Sequence, residues 1–322
     1  MIASGAMPLK TALGLSYDCG AFTENQAKAL EMADYSGFAA RRDESNSRGK
    51  QIVGERLGMD PRDVRVIDGD TDRVAFGIGT MGSRSTVIGG SALYYASEKV
   101  IEKARQIAAH LLEADGADLE FADGIFTVAG TDKTMTLKDV AKASFLPAKL
   151  PAGVEPGLYE TATFSPKDDT YPNGSHVCEV EIDPDTGVTE LVGYWVVDDV
   201  GVMVNPTIVK GQIHGGIAQG LGQVLMEQVV YDPDSGQLLS GSFMDYAMPR
   251  ADNFSNIEIV GNGVPTKRNP LGVKGAGEAG TVGALPAMMN AIMHALAEVG
   301  VAHLDMPATP DRVWRAIEAA RN

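Results

Sequence analysis

Cysteine is nearly absent: the 322 residues contain only Cys19 and Cys178, far apart and with no CxxC pair. Neither a zinc site nor an iron–sulfur cluster can be assembled from such thiolates, so any redox centre must bring its own ligands. Both cysteines read as small buried apolar residues. Basic residues are also few, 27 Lys and Arg against 43 Asp and Glu, for a formal net charge of -16. Nucleic-acid binding depends on clustered Lys and Arg, and no such block exists here, which excludes nucleic acid as a partner. No apolar run approaches the roughly 18 residues of a membrane span. The amino terminus lacks the charged-then-apolar layout of a secretory signal, so the expected location is the cytoplasm.

What remains is ordinary globular material, 44% hydrophobic and 22% charged. The length suffices for two compact units of about 100 to 200 residues each. The 37 glycines and 14 methionines exceed average usage, and many of the glycines gather in short loops. Such clustering suggests backbone that approaches a ligand.

Along the chain, Thr23-Glu-Asn-Gln26 is a capping box that opens a helix through Ala27, Leu30, Met32 and Phe38. Residues 51–59 are expected to be helical and Val64-Arg-Val-Ile67 a short strand. Residues 85–114 carry the longest helical pattern, with apolar positions recurring at three- and four-residue steps. Asp123-Gly124, between two short apolar runs, calls for a type I′ hairpin turn. A second hairpin, 176–182 with 188–197, turns on Asp183-Pro-Asp-Thr-Gly187, and Asp232-Pro-Asp-Ser-Gly236 repeats that turn chemistry. Pro206 suits the first turn of a helix running to about Val230. Its glycine density implies a packing or ligand reason, since each interior Gly costs about 1 kcal/mol against Ala. Thr309-Pro310 caps a closing amphipathic helix.

This order of elements predicts an α+β fold of two mixed α/β subdomains rather than a regular βαβ array. The stretch from Phe145 to Gly174, rich in proline, glycine and short polar residues, marks the boundary, giving units 1–146 and 147–322.

The segment most informative about chemistry is Asn269-Pro-Leu-Gly-Val-Lys-Gly-Ala-Gly-Glu-Ala-Gly280. It places one carboxylate, Glu278, in a glycine loop that leads into a helix expected from Pro286. Glu278 is either a functional group or a simple complement to a helix amino terminus, the latter worth roughly 0.3 to 1 kcal/mol. Gly275-Ala-Gly-Glu-Ala-Gly280 also satisfies G-x-G-x-x-G, but a dinucleotide-binding turn should follow a hydrophobic strand and open several βαβ steps. Here a proline-containing polar loop precedes it and about forty residues remain.

The run Gly272–Gly280 resembles the signature loop of molybdenum hydroxylase large subunits, the family of xanthine dehydrogenase, aldehyde oxidase and aerobic carbon monoxide dehydrogenase. Gly69-Asp-Thr71, Gly79-Thr-Met-Gly-Ser-Arg-Ser-Thr86, Gly211-Gln-Ile-His-Gly-Gly216 with Gln219-Gly-Leu-Gly222, and Asp245-Tyr-Ala-Met-Pro249 extend the resemblance in family order over nearly the whole chain. It implies a molybdopterin-binding domain fold and oxidative hydroxylation of an aldehyde, an N-heterocycle or a CO-type substrate, with water as the oxygen source. Glu278 matches the catalytic base; enclosure by loop backbone would disfavour its charged form, as suits a base near neutral pH.

Ser83, Arg84, Ser85 and Thr86 match the loop at a helix start that holds the pterin and its phosphate. Gln219 matches a pterin-bonding glutamine, and Gln212, Lys274, Gly275, Ala276 and Gly277 complete the cofactor-binding set. From the residues alone, Ser83 and Thr86 are equally plausible helix caps, His214 a packing histidine and Lys274 a solvated flank of its loop. No protein metal ligand is implied, because the dithiolene of molybdopterin, or of its cytosine dinucleotide form, holds the molybdenum. FAD and [2Fe-2S] centres would reside on partner subunits, and a chain carrying the first half of the large subunit would join them.

Two features depart from the pattern. Large subunits of the family are more than twice this long. The stretch from Gln51 follows Arg48-Gly-Lys50 directly, where the family has several tens of further residues including a Gly-Gln-Gly-His-type loop. That shortening near 50/51 makes a non-catalytic fragment or interaction scaffold the alternative function.

Overall fold

The computed structural model describes residues 9–10, 16–17, 47–74, 77, 79–254 and 256–321. The helix expected from Thr23, and Cys19, lie outside them. The chain divides into residues 1–47 and 48–322. In the first unit, β1 (Leu9–Lys10) and β2 (Ser16–Tyr17) pair antiparallel.

The rest is α+β, as the sequence predicts. Helix α1 (Ser47–Leu57) precedes a π turn, Thr86–Gly90, which runs into the long helix α2 (Ser91–Leu112). Strands β3 (Leu119–Ala122), β4 (Ile125–Val128) and β5 (Thr134–Thr136) form an antiparallel sheet, followed by α3 (Leu137–Ala143). Asp123 and Gly124 both take positive φ, 49° and 76°, as a type I′ turn demands. The apolar face of α2 (Ile101, Ala104, Ile107, Ala108) buries against Leu119, Phe126 and Val140, forming one hydrophobic cluster.

A second, larger cluster lies under the sheet β6 (Asn173–Ile182), β7 (Thr189–Asp199) and β8 (Ile257–Gly261). Strand β6 runs antiparallel to β7 and β8 parallel to it. Helices α4 (Pro206–Leu225) and α5 (Ala279–Ala297) pack Ile213, Ile217, Leu221, Met288 and Ile292 beneath Tyr194 and Val196, and α6 (Pro310–Arg321) adds Val313 and Ile317. The glycine density of α4 is explained by packing: a Cβ on Gly216 would lie 2.9 Å from the Thr281 amide, and one on Gly220 2.7 Å from Ala284 Cβ. Gly222 accommodates Pro249 and Glu227, so Gln219–Gly222 and Asp245–Pro249 meet in space, and Tyr246 donates to Glu227 at 2.6 Å.

Several expectations are corrected. Val64–Ile67 forms no strand and joins no sheet among the described residues; a strand exists only through a partner, and no described strand pairs with it. The helix expected to run to about Val230 ends at Leu225. Helix α5 begins at Ala279, not Pro286, and the proline sits inside it. Contact of Gly280 with α4 and of Gly283 with His176 on β6 sustains the helix despite their low propensity, so tertiary packing overrides the local signal. His214 is exposed, its Nδ1 3.1 Å from Lys210 O in its own helix, rather than packed. Cys178 is half-buried against Met288, with a sulfur–sulfur distance of 3.4 Å, and desolvation pushes its thiol up to about 11, so it is an inert packing residue. Among the described residues no helix is long and apolar enough to cross a membrane.

Candidate functional site

Two loops converge on the amino-terminal half of α4. The first, Gly79–Ser85, enters the π turn ahead of α2. Its seating depends on Gly90, where a Cβ would lie 2.9 Å from Leu271 and 3.0 Å from Ile52, so this turn packs directly on the second loop. Ser85 Oγ and Thr80 Oγ1 share a hydrogen bond of 2.7 Å.

The second loop, Asn269–Gly277, is fastened to the carboxyl end of β7. Lys274 N–H donates to Val200 O at 2.8 Å and Val202 N–H to Gly272 O at 3.0 Å. The buried Asn269 side chain brackets Val273, donating to its carbonyl at 2.9 Å and accepting from its amide at 3.2 Å.

Asp199 is the centre of this attachment. Its Oδ1 accepts from the amides of Gly201 and Val264, both at 2.9 Å, and its Oδ2 from Asn173 at 3.3 Å and from Lys274 Nζ at 2.5 Å. The Lys274 and Asp199 side chains are only 12% and 11% exposed. Burial pushes the Asp199 carboxyl up, but the Lys274 hydrogen bond, the two amides and the Lys274 charge together outweigh it and hold the group at about 2. Lys274 is therefore a buried anchor and not the solvated flank considered from sequence. Sequence reasoning missed Asp199; the available signal was a pair of acids, Asp198-Asp199, ending an apolar strand.

Between the loops lies a cavity of about 220 Å³. Ser83, Ser85, Thr86, Gln212, Lys274, Ala276 and Gly277 line it, over an apolar floor that includes Val200, Ile208 and Val273. Thr80 and Asn205 line it too and were not singled out from sequence. Asn205 caps α4 by accepting from the Ile208 amide at 3.0 Å. Three expected residues do not line the cavity. Gly275 is buried behind it against Ser83, Arg84 is absent from its wall, and Gln219 Oε1 instead accepts from Thr281 Oγ1 at 3.3 Å. Gln219 lies two turns along α4 from Gln212, and that rise of about 1.5 Å per residue carries it past the cavity.

Glu278 is the N-cap residue of α5, with no side-chain bond to its own helix, and Ser83 Oγ donates to its Oε2 at 2.7 Å. The carboxylate is exposed rather than enclosed by loop backbone as expected, because the glycines beside it have no side chains to cover it. Among the described residues no group of three His, Cys, Asp or Glu could hold a metal ion. The cavity does fit an anionic organic group: hydroxyls and the amide side chains of Asn205 and Gln212 line it, a helix amino terminus adjoins it, and no Asp or Glu is in its wall.

Residues 29–255 match the model of the molybdopterin cofactor-binding domain. The chain is 39% identical over 269 residues to the carbon monoxide dehydrogenase large chain of Hydrogenophaga pseudoflava, covering 83% of this chain and 33% of that one. The nicotine 6-hydroxylase large subunit of Paenarthrobacter nicotinovorans is 38% identical, again over 83% of this chain and 33% of the relative. This chain thus spans about a third of the length of these curated relatives. The solved carbon monoxide dehydrogenase of Oligotropha carboxidovorans superposes with a TM-score of 0.81 at 28% identity, covering 99% of this chain and 48% of that one. On this cavity, fold and similarity, the chain belongs to the molybdopterin cofactor-binding domain family, as the cofactor-binding portion of a molybdenum hydroxylase large subunit.

Proposed function

We propose that the chain holds molybdopterin and supplies the proton acceptor for an oxidative hydroxylation, in which water provides the oxygen and the substrate and water together release two protons and two electrons. The observation that carries this reading is the cavity walled by Ser83, Ser85, Thr86 and Gln212 on one side and the glycine loop on the other, with Glu278 next to the lining Gly277 and bonded to the lining Ser83. Ser85 and Thr86 would bind the cofactor's phosphate at the start of α2, and Gln212, Ala276 and Gly277 would face the pterin. The bound molybdenum group would supply the oxygen-transfer and two-electron chemistry. Glu278 Oε1 would take one of the protons, as general-base catalysis requires. Aldehydes, N-heterocycles and CO-type molecules are the substrate classes in view, and the electrons would pass to [2Fe-2S] and FAD centres on partner subunits.

A further partner would carry the part of the large subunit that the longer relatives possess. Phe243 and Met244, 81% and 93% exposed in a turn held by the Ser242–Asp245 hydrogen bond, support such a covering. The two hydrophobic clusters support a division into subdomains near 146/147, although Leu150, Val154 and Leu158 still pack on the first cluster.

Val64–Ile67, which pairs with no strand among the described residues, favours a second reading, in which the shortening near 50/51 leaves a fragment that retains no cofactor. Molybdenum and pterin content per chain, measured on protein from its native host, separates the two: stoichiometric cofactor is expected, and none would establish the fragment. With cofactor present, Glu278→Gln is expected to lower kcat by about a hundredfold or more at unchanged metal content. Full turnover in that variant removes Glu278 from the chemistry.

A further inference from the structure

We infer that Ser83 is a positioning residue for Glu278, acting on the carboxylate rather than on the cofactor's phosphate; this rests on the reading of Glu278 as the base. Ser83 lies at φ 53°, immediately after Gly82 at φ 55°. A residue bearing a Cβ rarely adopts that conformation, and glycine would take it more readily, so the side chain itself has a use there. Its hydroxyl reaches Glu278 Oε2 at 2.7 Å across 195 residues of sequence.

The opposite loop is shaped to admit it. A Cβ on Gly275 would lie 2.8 Å from Ser83 O and 2.9 Å from Ser83 Cβ, and one on Gly277 would lie 3.2 Å from Ser83 Oγ. Glycine at both positions therefore lets the two loops close until the hydrogen bond forms.

A serine hydroxyl has a single proton to donate. Spent on Glu278, it is not available to a phosphate, which also only accepts. Ser83 thus differs in role from Ser85, whose hydroxyl pairs with Thr80 at the cavity wall. The Glu278 side chain has no bond to its own helix, so without Ser83 its carboxylate would be free to rotate. Fixing Oε2 leaves Oε1 to accept an incoming proton.

The test compares Ser83→Ala and Ser83→Gly in the cofactor-loaded complex. Both remove the hydroxyl, and the glycine variant also relieves the backbone conformation, which separates loss of the donor from strain. In both, kcat is expected to fall about tenfold or more while KM and molybdenum and pterin per chain stay unchanged. An unchanged kcat in both variants overturns the proposal. So does a fall in cofactor content that parallels the fall in activity, which would make Ser83 a cofactor ligand.

A second readout does not depend on turnover. In the 322-residue chain labelled with carboxyl-13C glutamate, the Glu278 resonance is identified by its loss in Glu278→Gln and its chemical shift and line width are compared with and without the Ser83 hydroxyl. A changed shift or line width in both Ser83 variants supports the contact, and identical spectra overturn it. If Glu278→Gln retains full turnover while the resonance still responds to Ser83, the base assignment fails and the contact stands.

Discussion

The two loops that enclose the cavity are held in opposite ways. The glycine loop is locked from beneath by a buried ion pair, a bracketing asparagine and backbone bonds to the end of β7. The hydroxyl loop, Gly79–Ser85, is mostly exposed and is held by its entry into α2, the Thr80–Ser85 bond and the reach of Ser83 to Glu278. The lesson is a division of labour: one wall supplies rigidity, and the other presents hydrogen-bonding groups whose partner would be a ligand. Substitutions in the first should damage folding, and substitutions in the second, Ser83 apart, should damage occupancy.

The largest effect is expected from Asp199→Ala. It strands Lys274 and leaves the Gly201 and Val264 amides without their acceptor, for a loss of about 3 to 5 kcal/mol by urea unfolding. A loss below that of an exposed ion pair would erase the contrast. Next, Gly280→Ala drives a methyl group into the Ile213 carbonyl where α5 crosses α4, at about 1 to 3 kcal/mol by the same measurement.

Acid titration sharpens the comparison further. The Asp199 carboxyl is held at about 2 against its ordinary 3.8, so between these values the unfolded chain binds the proton that the folded chain refuses. Its contribution is complete above 3.8 and is lost as the pH falls through about 2. Unfolding free energy should therefore rise with pH across this window in the native protein, and Asp199→Asn should flatten that part of the slope.

The smallest effect on stability belongs to the hydroxyl loop. Ser85→Ala removes one exposed hydrogen bond and should cost less than about 1 kcal/mol while lowering cofactor content. Comparable losses of stability from Ser85 and Asp199 would mean that both walls are structural.

How much of this was legible in the sequence follows the range of the interactions. Asp123-Gly124, Pro206 and Thr309 announce their elements because turn and cap chemistry is settled within a few residues. Most of the residues expected to bind cofactor do line one cavity, since the loop motifs carry their own geometry. Val64–Ile67 was misread because alternation records a wish to pair and not the presence of a partner. The start of α5 was misread because Pro286 resembles a first-turn proline, whereas contact with α4 extends the helix seven residues before it. Lys274 gave no hint of its burial because its counter-ion, Asp199, lies 75 residues away.

The same separations bear on the order in which the site comes together. Lys274 and Asp199 close a span of 75 residues, Ser83 and Glu278 one of 195. Loop-closure entropy grows as the logarithm of the span, so the longer closure costs about 0.8 kcal/mol more. The glycine loop can therefore dock on β7 while the hydroxyl loop is still free. A cofactor entering at that stage meets a finished floor and an open door, and the Ser83–Glu278 bond is the latch that shuts behind it.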